Sequence, residues 1–248
     1  MADPSMITTA ESSSLGIVGV WANKYKMQNY SGPLWKVRRT SDNALQDCYS
    51  TAEVTTFIGG GDAYVHTWYD QSGHGYNFTE TDTSIQPRLI VSDTVFAGSC
   101  LEFNDNKGMT GAYTDSGNSD STYAVTYARF ATGNRVLAGS NNWLVGPYFD
   151  KSNLYAGAFA DGPALATNTR VLNVAWRSAS GQYNLRVNGS AAGGSAGSTN
   201  PGTIHLARRG QFSEYASSKV QAIIFAKPIT TNNTTQVSTI EQKLLADI

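Results

Sequence analysis

The chain is 248 residues long, with 18 basic and 19 acidic side chains and a formal charge of −1. A balance this close to neutral, with no run of like charges, lacks the long-range attraction that binding to nucleic acid or an anionic membrane requires; Arg38-Arg39 and Arg208-Arg209 are pairs, not patches. Charged residues make up only 15% of the chain and glycine occurs 24 times, the composition of many short strands joined by tight turns, and the length suits one all-β domain.

The opening Met1–Ala10 carries neither a basic start nor the apolar run of a signal peptide, and no segment approaches the ~20 apolar residues that span a bilayer. A chain made and kept soluble is expected, with residues 1–13 flexible and 14–248 forming a single domain. From Ser14 as N-cap, Leu15, Val18, Ala22, Tyr25 and Lys26 recur at helical spacing, which predicts a helix reaching Asn29. Tyr30-Ser31-Gly32-Pro33 opens a short strand through Leu34–Arg39, and Ser41-Asp42-Asn43 closes it. A second short helix is predicted over Thr51–Ile58, where Ala52, Val54, Thr55 and Ile58 repeat before the Gly59-Gly60-Gly61 stop.

The densest stretch is Tyr64–Gly75. Tyr64 to Tyr69 are nearly all aromatic or β-branched and predict a strand with apolar contacts on both faces. Asp70 and Ser72 can then cap local N–H groups, while Gly73 and Gly75 permit positive φ. Two readings of Asp70 follow: part of a structural turn, or an acid/base pair with His66 or His74. Adjacent Arg38 and Arg39 must point to opposite faces of their strand, so one of them turns inward and needs an anion. Asp70 is the expected partner, in a buried pair with Arg38 or Arg39.

From Gln86 onward the pattern is a meander. Strands are predicted at Arg88–Val91, Ser99–Asn104, Thr122–Phe130, Arg135–Ala138, Trp143–Phe149, Leu154–Ala160, Thr169–Ser178, Tyr183–Val187, Gly202–Arg208 and Lys219–Ala226. Ser180-Gly181 and Asn188-Gly189 are turn signals, and Ser190–Ser198 has the composition of a mobile loop. Pro228 ends the last strand, and Val237, Ile240, Leu244 and Leu245 mark a closing amphipathic helix. Cys48 and Cys100 are far apart, which excludes a zinc-type cluster and favours free buried thiols. His66, His74 and His205 have no metal-ligand spacing, so no metal and no cofactor is expected. Asn104–Gly108 has oxygen ligands at alternate positions but lacks the distal glutamate of a calcium loop, and is expected to be an ordinary turn.

Three runs in order, Tyr30-Ser31-Gly32-Pro33, Val37-Arg38-Arg39 to Asn43, and Trp68-Tyr69-Asp70-Gln71-Ser72-Gly73-His74-Gly75, resemble the opening third of the arabinofuranosidase B catalytic domain and modules of that kind in bacteriophage tail and virion proteins. Gln86-Pro87-Arg88-Leu89 and Leu101-Glu102-Phe103-Asn104 resemble the entry into a laminin-G-like, concanavalin-type jelly roll. The resemblance implies a mostly β jelly-roll sandwich with a small N-terminal helical cap and a C-terminal helix. Arg38, Arg39, Asp70, Gln71 and Ser72 would form its structural motif.

Glycoside hydrolysis in most families needs two carboxylates flanking the scissile bond. Glu11, Glu53, Glu80, Glu102, Glu214 and Glu241 are scattered, Glu241 being expected on the outer part of the last helix. No pattern around Glu102, Asp150, Asp161 or Glu214 matches the arabinofuranosidase family, so an enzyme is not expected. There is neither a phosphate loop after Gly61 nor a Gly-x-Ser-x-Gly elbow. The expectation is a virion structural protein, made in the host cytoplasm, present in several copies among other virion proteins, with contact to cell-surface glycans as a secondary role. A soluble lectin-like module is the alternative, and a hydrolase stands third. Trp143, Tyr148, Tyr155 and Trp176 are the candidate glycan-binding residues, because aromatic rings stack on sugar faces.

Overall fold

The computed structural model describes residues 5–104, 106–115, 121–131, 133, 135–178, 180–209, 212–227 and 233–246. Two antiparallel layers face one another. The first runs, edge to edge, through Leu45–Cys48, Trp35–Arg39, Ala63–Trp68, Phe78–Thr79, Met109–Asp115, Gly202–Leu206, Leu137–Gly139, Trp143–Tyr148, Lys151–Tyr155 and Phe159–Ala164. The second runs through Ser190–Ala192, Tyr183–Val187, Arg170–Arg177, Thr122–Arg129 and Ser218–Ala226. Beyond Ser218–Ala226 its edge is shared: Ile17–Ala22 lies along one half and Gly98–Phe103, followed by Arg88–Asp93, along the other. The bridge from Tyr64 to Arg88 ties the layers at one side.

The space between the layers is filled by rings. Trp21, Trp35, Trp68, Trp143, Tyr123 and Phe225 are fully buried there. Trp21 meets Phe78 and Phe225 at 4.8 and 4.9 Å between centroids, and Tyr123 meets Phe225 and Trp143 at 5.1 and 4.9 Å. Contacts of this tilted and edge-on kind add about 0.5–1.5 kcal/mol each to the area term. The Trp21 ring lies back over Gly19, where any Cβ would run into it.

Among the described residues three helices complete the fold: α1 (Thr9–Leu15), α2 (Thr51–Ile58) and α3 (Asn233–Leu245). The outer face of the second layer is apolar, with Val20, Ala22, Leu172, Val174 and Ile224, and it is closed by Leu15 of α1 and Val237, Ile240 and Leu244 of α3. The C-terminal helix and α2 fall where the sequence places them.

The N-terminal expectation is corrected. Residues 14–29 are not a helix: Thr8 and Glu11 form a capping box one turn upstream, Gly16 stops α1 at φ +59°, and Ile17–Ala22 is a strand. The spacing of Leu15, Val18 and Ala22 fits a helix, but it also fits a strand buried on both faces, and β-branched Ile17, Val18 and Val20 favour the strand. Nor are the residues before 14 loose from Ser5 onward. Ile7 is buried and bridged to Met27, and Lys243 of α3 donates to Met6 O at 2.7 Å and pairs with Glu11 at 2.8 Å.

Other boundaries shift for tertiary reasons. Leu154–Ala160 is not one strand but the end of Lys151–Tyr155 and the start of Phe159–Ala164. The Ser190–Ser198 loop instead begins with an edge strand, and Ala196 is buried, exchanging backbone bonds with Tyr183 and Ala158. Leu45–Cys48, Phe78–Thr79 and Met109–Asp115 are strands the pattern did not announce. Glu241 is buried, not outward, and meets Arg186 at 3.0 Å. Pro228 and Asp105 lie outside the described residues. Cys48 and Cys100 are buried free thiols, and burial pushes the Cys48 thiol up to about 11.

Candidate functional site

The Asp70 turn is structural, and its partner is not arginine. Asp70 Oδ1 accepts from the backbone N–H groups of Val20 and Ser72, both at 2.9 Å, and Oδ2 accepts from Ser72 Oγ at 2.8 Å and Tyr76 N at 3.2 Å. Gln71 continues the clamp, accepting from Lys26 N at 2.7 Å and donating to the carbonyls of Ala22 and Lys24 at 3.1 and 2.9 Å. The turn thus holds the strand Ile17–Ala22 by its backbone.

Arg38 and Arg39 do point to opposite faces, but register carries both away from Asp70. Arg38 stands opposite Tyr64, so Asp70 lies six residues further on, about 20 Å along the strand. Arg38 donates instead to Gln86 Oε1 at 2.7 Å, Asn43 Oδ1 at 2.9 Å and Thr83 O at 3.3 Å, with its guanidinium 5.1 Å over the Tyr64 ring. Arg39 binds Asp42 at 2.6 Å and Phe57 O at 2.9 Å, and its hydrogen bond holds the Asp42 carboxyl at about 2.

The acid/base reading of this turn also fails on geometry. Ser72 Oγ sits between Asp70 Oδ2 at 2.8 Å and His74 Nδ1 at 3.0 Å, whereas a hydrolytic triad needs the histidine between serine and carboxylate. His66 points to the outer face of the first layer, with Nδ1 2.9 Å from Thr67 Oγ1.

That outer face carries the better site. The register aligns Thr79, Thr110, His205, Ala138, Leu144, Tyr155 and Phe159 in one row across seven strands. Their immediate neighbours Leu137, Val145, Leu154, Ile204 and Leu206 belong to the interior, so alternation turns this row to the other face of the layer; Ala138 and Leu144 at its centre are buried, and the row is open only at its two ends. From Thr110 to Phe159 it crosses five strand spacings, about 24 Å. Its polar end holds Thr110 Oγ1 3.3 Å from His205 Nδ1. Burial, reinforced by Arg208, holds the His205 imidazole below its ordinary value.

The other end is aromatic. Tyr148 packs against Phe149 and Phe159 at 4.7 and 5.0 Å between centroids, and Tyr155 against Phe159 at 4.8 Å. Phe149 and Phe159 are 67% and 44% exposed, and Phe149 is held at φ +53°. A bulky side chain in the left-handed region is an outlier that costs about 1–2 kcal/mol. Tyr148, Phe149 and Phe159, with Asp150, Lys151, Asn153 and Asp161, line an open cavity of about 330 Å³. Asn153 is buried and donates to Tyr148 O at 3.0 Å, while its Oδ1 has no hydrogen-bond partner.

Of the four predicted glycan-binding residues, only Tyr148 and Tyr155 belong to this surface. Trp143 is in the core, 4.9 Å from the Tyr123 ring and 6.1 Å from Tyr183. Trp143 and Tyr148 stand five positions apart in one strand, so they cannot share a face. That parity was available in the sequence. Trp176 lies on the other layer, packed against the cluster that α3 covers. Phe149, Phe159 and His205 were not predicted as site residues.

The carboxylates near and around this face are already bonded to cations. Glu80 meets Arg208 at 3.7 Å, Asp150 meets Arg129 at 2.7 Å, Asp161 meets Lys151 at 3.0 Å and Glu214 meets Arg135 at 2.5 Å.

No protein-family model and no curated protein matches this sequence. Solved structures do match in shape. An arabinofuranosidase in complex with arabinofuranosyl-α-1,2-xylobiose superposes with a TM-score of 0.68 at 16% identity, covering 93% of this chain and 63% of that one. A GH54 α-L-arabinofuranosidase soaked with a cyclic sulfate inhibitor gives 0.66 at 17% identity, over 95% of this chain and 64% of its own. The Trypanosoma rangeli sialidase gives 0.52 at 12% identity, over 92% of this chain and 33% of its own. The chain therefore spans less than two thirds of the length of these enzymes. At such identities the likeness establishes one thing: the chain has the jelly-roll-like β-sandwich fold of arabinofuranosidase catalytic domains.

Proposed function

We propose that this chain is a carbohydrate-recognition module that stacks sugar rings on Tyr148, Phe149, Tyr155 and Phe159, at the aromatic end of the outer face of its first layer. The observation that carries the reading is Phe149: a large apolar side chain, two thirds exposed and kept in a strained backbone conformation beside Tyr148, which in turn packs on Phe159. Strain retained at an exposed aromatic has no stabilising return, and such positions cluster where a ligand is clamped. The reading is non-hydrolytic, supported by the cation bonds on Glu80, Asp150 and Asp161.

The setting we propose is a virion, as the sequence resemblance to phage tail and virion modules suggests. Many copies on one particle convert weak single contacts into avid attachment. Calorimetric titration with plant-cell-wall and bacterial oligosaccharides tests the binding. Phe149→Gly and Phe159→Ala should each weaken it by about tenfold, the effect of losing roughly 1.4 kcal/mol. Equal affinity in wild type and both variants refutes the platform, and release of sugar from those oligosaccharides refutes the non-hydrolytic reading. Mass spectrometry of purified particles separately decides the virion setting.

A further inference from the structure

A second cavity lies on the other layer, where the sheet forks. The strand Ser218–Ala226 is bordered by Gly98–Phe103 as far as Val220 and by Ile17–Ala22 from Ala222 onward. Gln221 falls between the two, and on its other side the pairing to Thr122–Arg129 slips by one residue at the same point. Gln221 is therefore a β-bulge, the device by which sheets re-aim one side chain. The parting strands leave a cavity of about 350 Å³, and Gln221 lines it.

The walls of this cavity are of two kinds and are held firmly. Val91, Phe96 and Ala97 line it together with the polar side chains of Asn23, Ser99 and Gln221. Asn23 is fixed by donating to Val220 O at 3.1 Å and accepting from Trp35 Nε1 at 2.9 Å, and Ser99 Oγ donates to Asn23 O at 3.0 Å. The hairpin tip is fixed by Asp93, which accepts from Val95 N and Phe96 N and binds Lys219 at 2.5 Å. Ala97 sits at φ +50°, a second strained non-glycine position at a cavity wall. Within this set one group stands out: Gln221 Oε1 is buried with no hydrogen-bond partner. A buried acceptor left unmade is costly, so a donor that completes it is bound with that cost removed.

We infer that this fork is a binding site for a single uncharged hexose unit, separate from the aromatic platform. A lining that combines apolar side chains with amide and hydroxyl groups matches a sugar ring, which has an apolar C–H face and hydroxyl edges. The volume is at the lower end of ligand pockets, which restricts the occupant to about one ring. No carboxylate lines the cavity, and Lys24 stands exposed at its rim.

The test is a two-dimensional NMR titration of the full chain with D-glucose, D-galactose and D-mannose at millimolar concentrations. One of the three should give saturable shifts at Asn23, Ala97, Gly98, Ser99 and the Gln221 side-chain amide. Gln221→Leu should weaken that response by about tenfold or more, and Thr51→Trp, which fills the cavity from the start of α2 without touching the strands, should abolish it. The shifts should survive intact in a Phe149→Gly, Phe159→Ala double variant, so that this site and the platform succeed or fail independently. Absence of shifts at these residues with all three sugars, or shifts unchanged by Thr51→Trp, overturns the inference.

Discussion

Replacing Asp70 with alanine removes a carboxylate whose two oxygens accept four hydrogen bonds, from Val20 N, Ser72 N, Ser72 Oγ and Tyr76 N. The donors are not equally dependent on it. Val20 is fully buried, so its N–H is stranded away from water at a cost of about 1–3 kcal/mol. Ser72 and Tyr76 are only half-buried and recover part of their loss from solvent. The expected destabilisation is therefore about 3–5 kcal/mol, the range in which four charge-assisted bonds are lost and partly replaced. For a chain of this size that lowers the melting temperature by on the order of 10 °C. Asp70→Asn should cost less, roughly 2 kcal/mol, because Oδ1 still serves Val20 and Ser72 while the amide Nδ2 faces the Tyr76 N–H, donor against donor. Urea melts of both variants measure these values directly. A double-mutant cycle between Asp70→Ala and Arg38→Ala then separates the backbone clamp from a buried ion pair: additivity within about 0.5 kcal/mol is expected for sites that share no partner. A coupling above about 1 kcal/mol, or a melt that Asp70→Ala leaves unchanged, refutes the clamp.

The other predictions concern strain, protonation, packing and thiol access. Phe149→Gly should leave stability equal or higher by up to about 1 kcal/mol, because relief of the left-handed backbone outweighs the added chain entropy; a lowered urea midpoint would show that the ring supports the fold. Burial, with help from Lys36 and Arg208 respectively, depresses the pKa values of His66 and His205. The unfolded chain therefore takes up protons first as pH falls through about 6.5, and the histidine contribution, fully present above that pH, is lost below it. Urea midpoints between pH 8 and pH 5 should show this decline, and a His66→Gln, His205→Gln variant should flatten it. Glu241→Ala strands the Arg186 guanidinium beneath α3 and should cost about 1–3 kcal/mol, less than a fully buried pair because Arg186 is partly exposed; protection of the α3 amides in hydrogen exchange reports it. Cys48 and Cys100 are buried, and burial raises both thiols, so aromatic disulfide reagents should modify neither until the chain unfolds.

What could be read in advance follows from how local each signal is. Thr51–Ile58 carries its own spacing, its Ser50 cap and its glycine stop, and it is the helix predicted. Tyr183–Val187, flanked by Ser180-Gly181 and Asn188-Gly189, is likewise self-contained. The start of the chain held both answers at once, since Leu15, Val18 and Ala22 satisfy a helical period while Thr8, Glu11 and Gly16 mark a shorter helix just upstream. The platform was half legible. Tyr148 and Tyr155 could be picked as aromatics on strands, but their meeting with Phe149 and Phe159 depends on the pairing of three successive strands, and register is not encoded in any one of them.

The Asp70 clamp shows why fold and surface can part company in such a chain. Asp70 and Gln71 reach across some fifty residues to bind backbone atoms of Val20, Ala22, Lys24 and Lys26, not their side chains. A clamp that grips only N–H and C=O groups makes no demand on the identity of the residues it holds, beyond strand geometry. The ring core is similarly tolerant, asking for volume and apolarity more than for particular residues. Neither therefore constrains the open ends of the outer row, where Thr110, His205, Tyr155 and Phe159 can change strand by strand. Chains built on this scaffold can keep the sandwich at under a fifth of identical residues, as the arabinofuranosidase structures do, because neither device fixes the identity of the outward-facing residues.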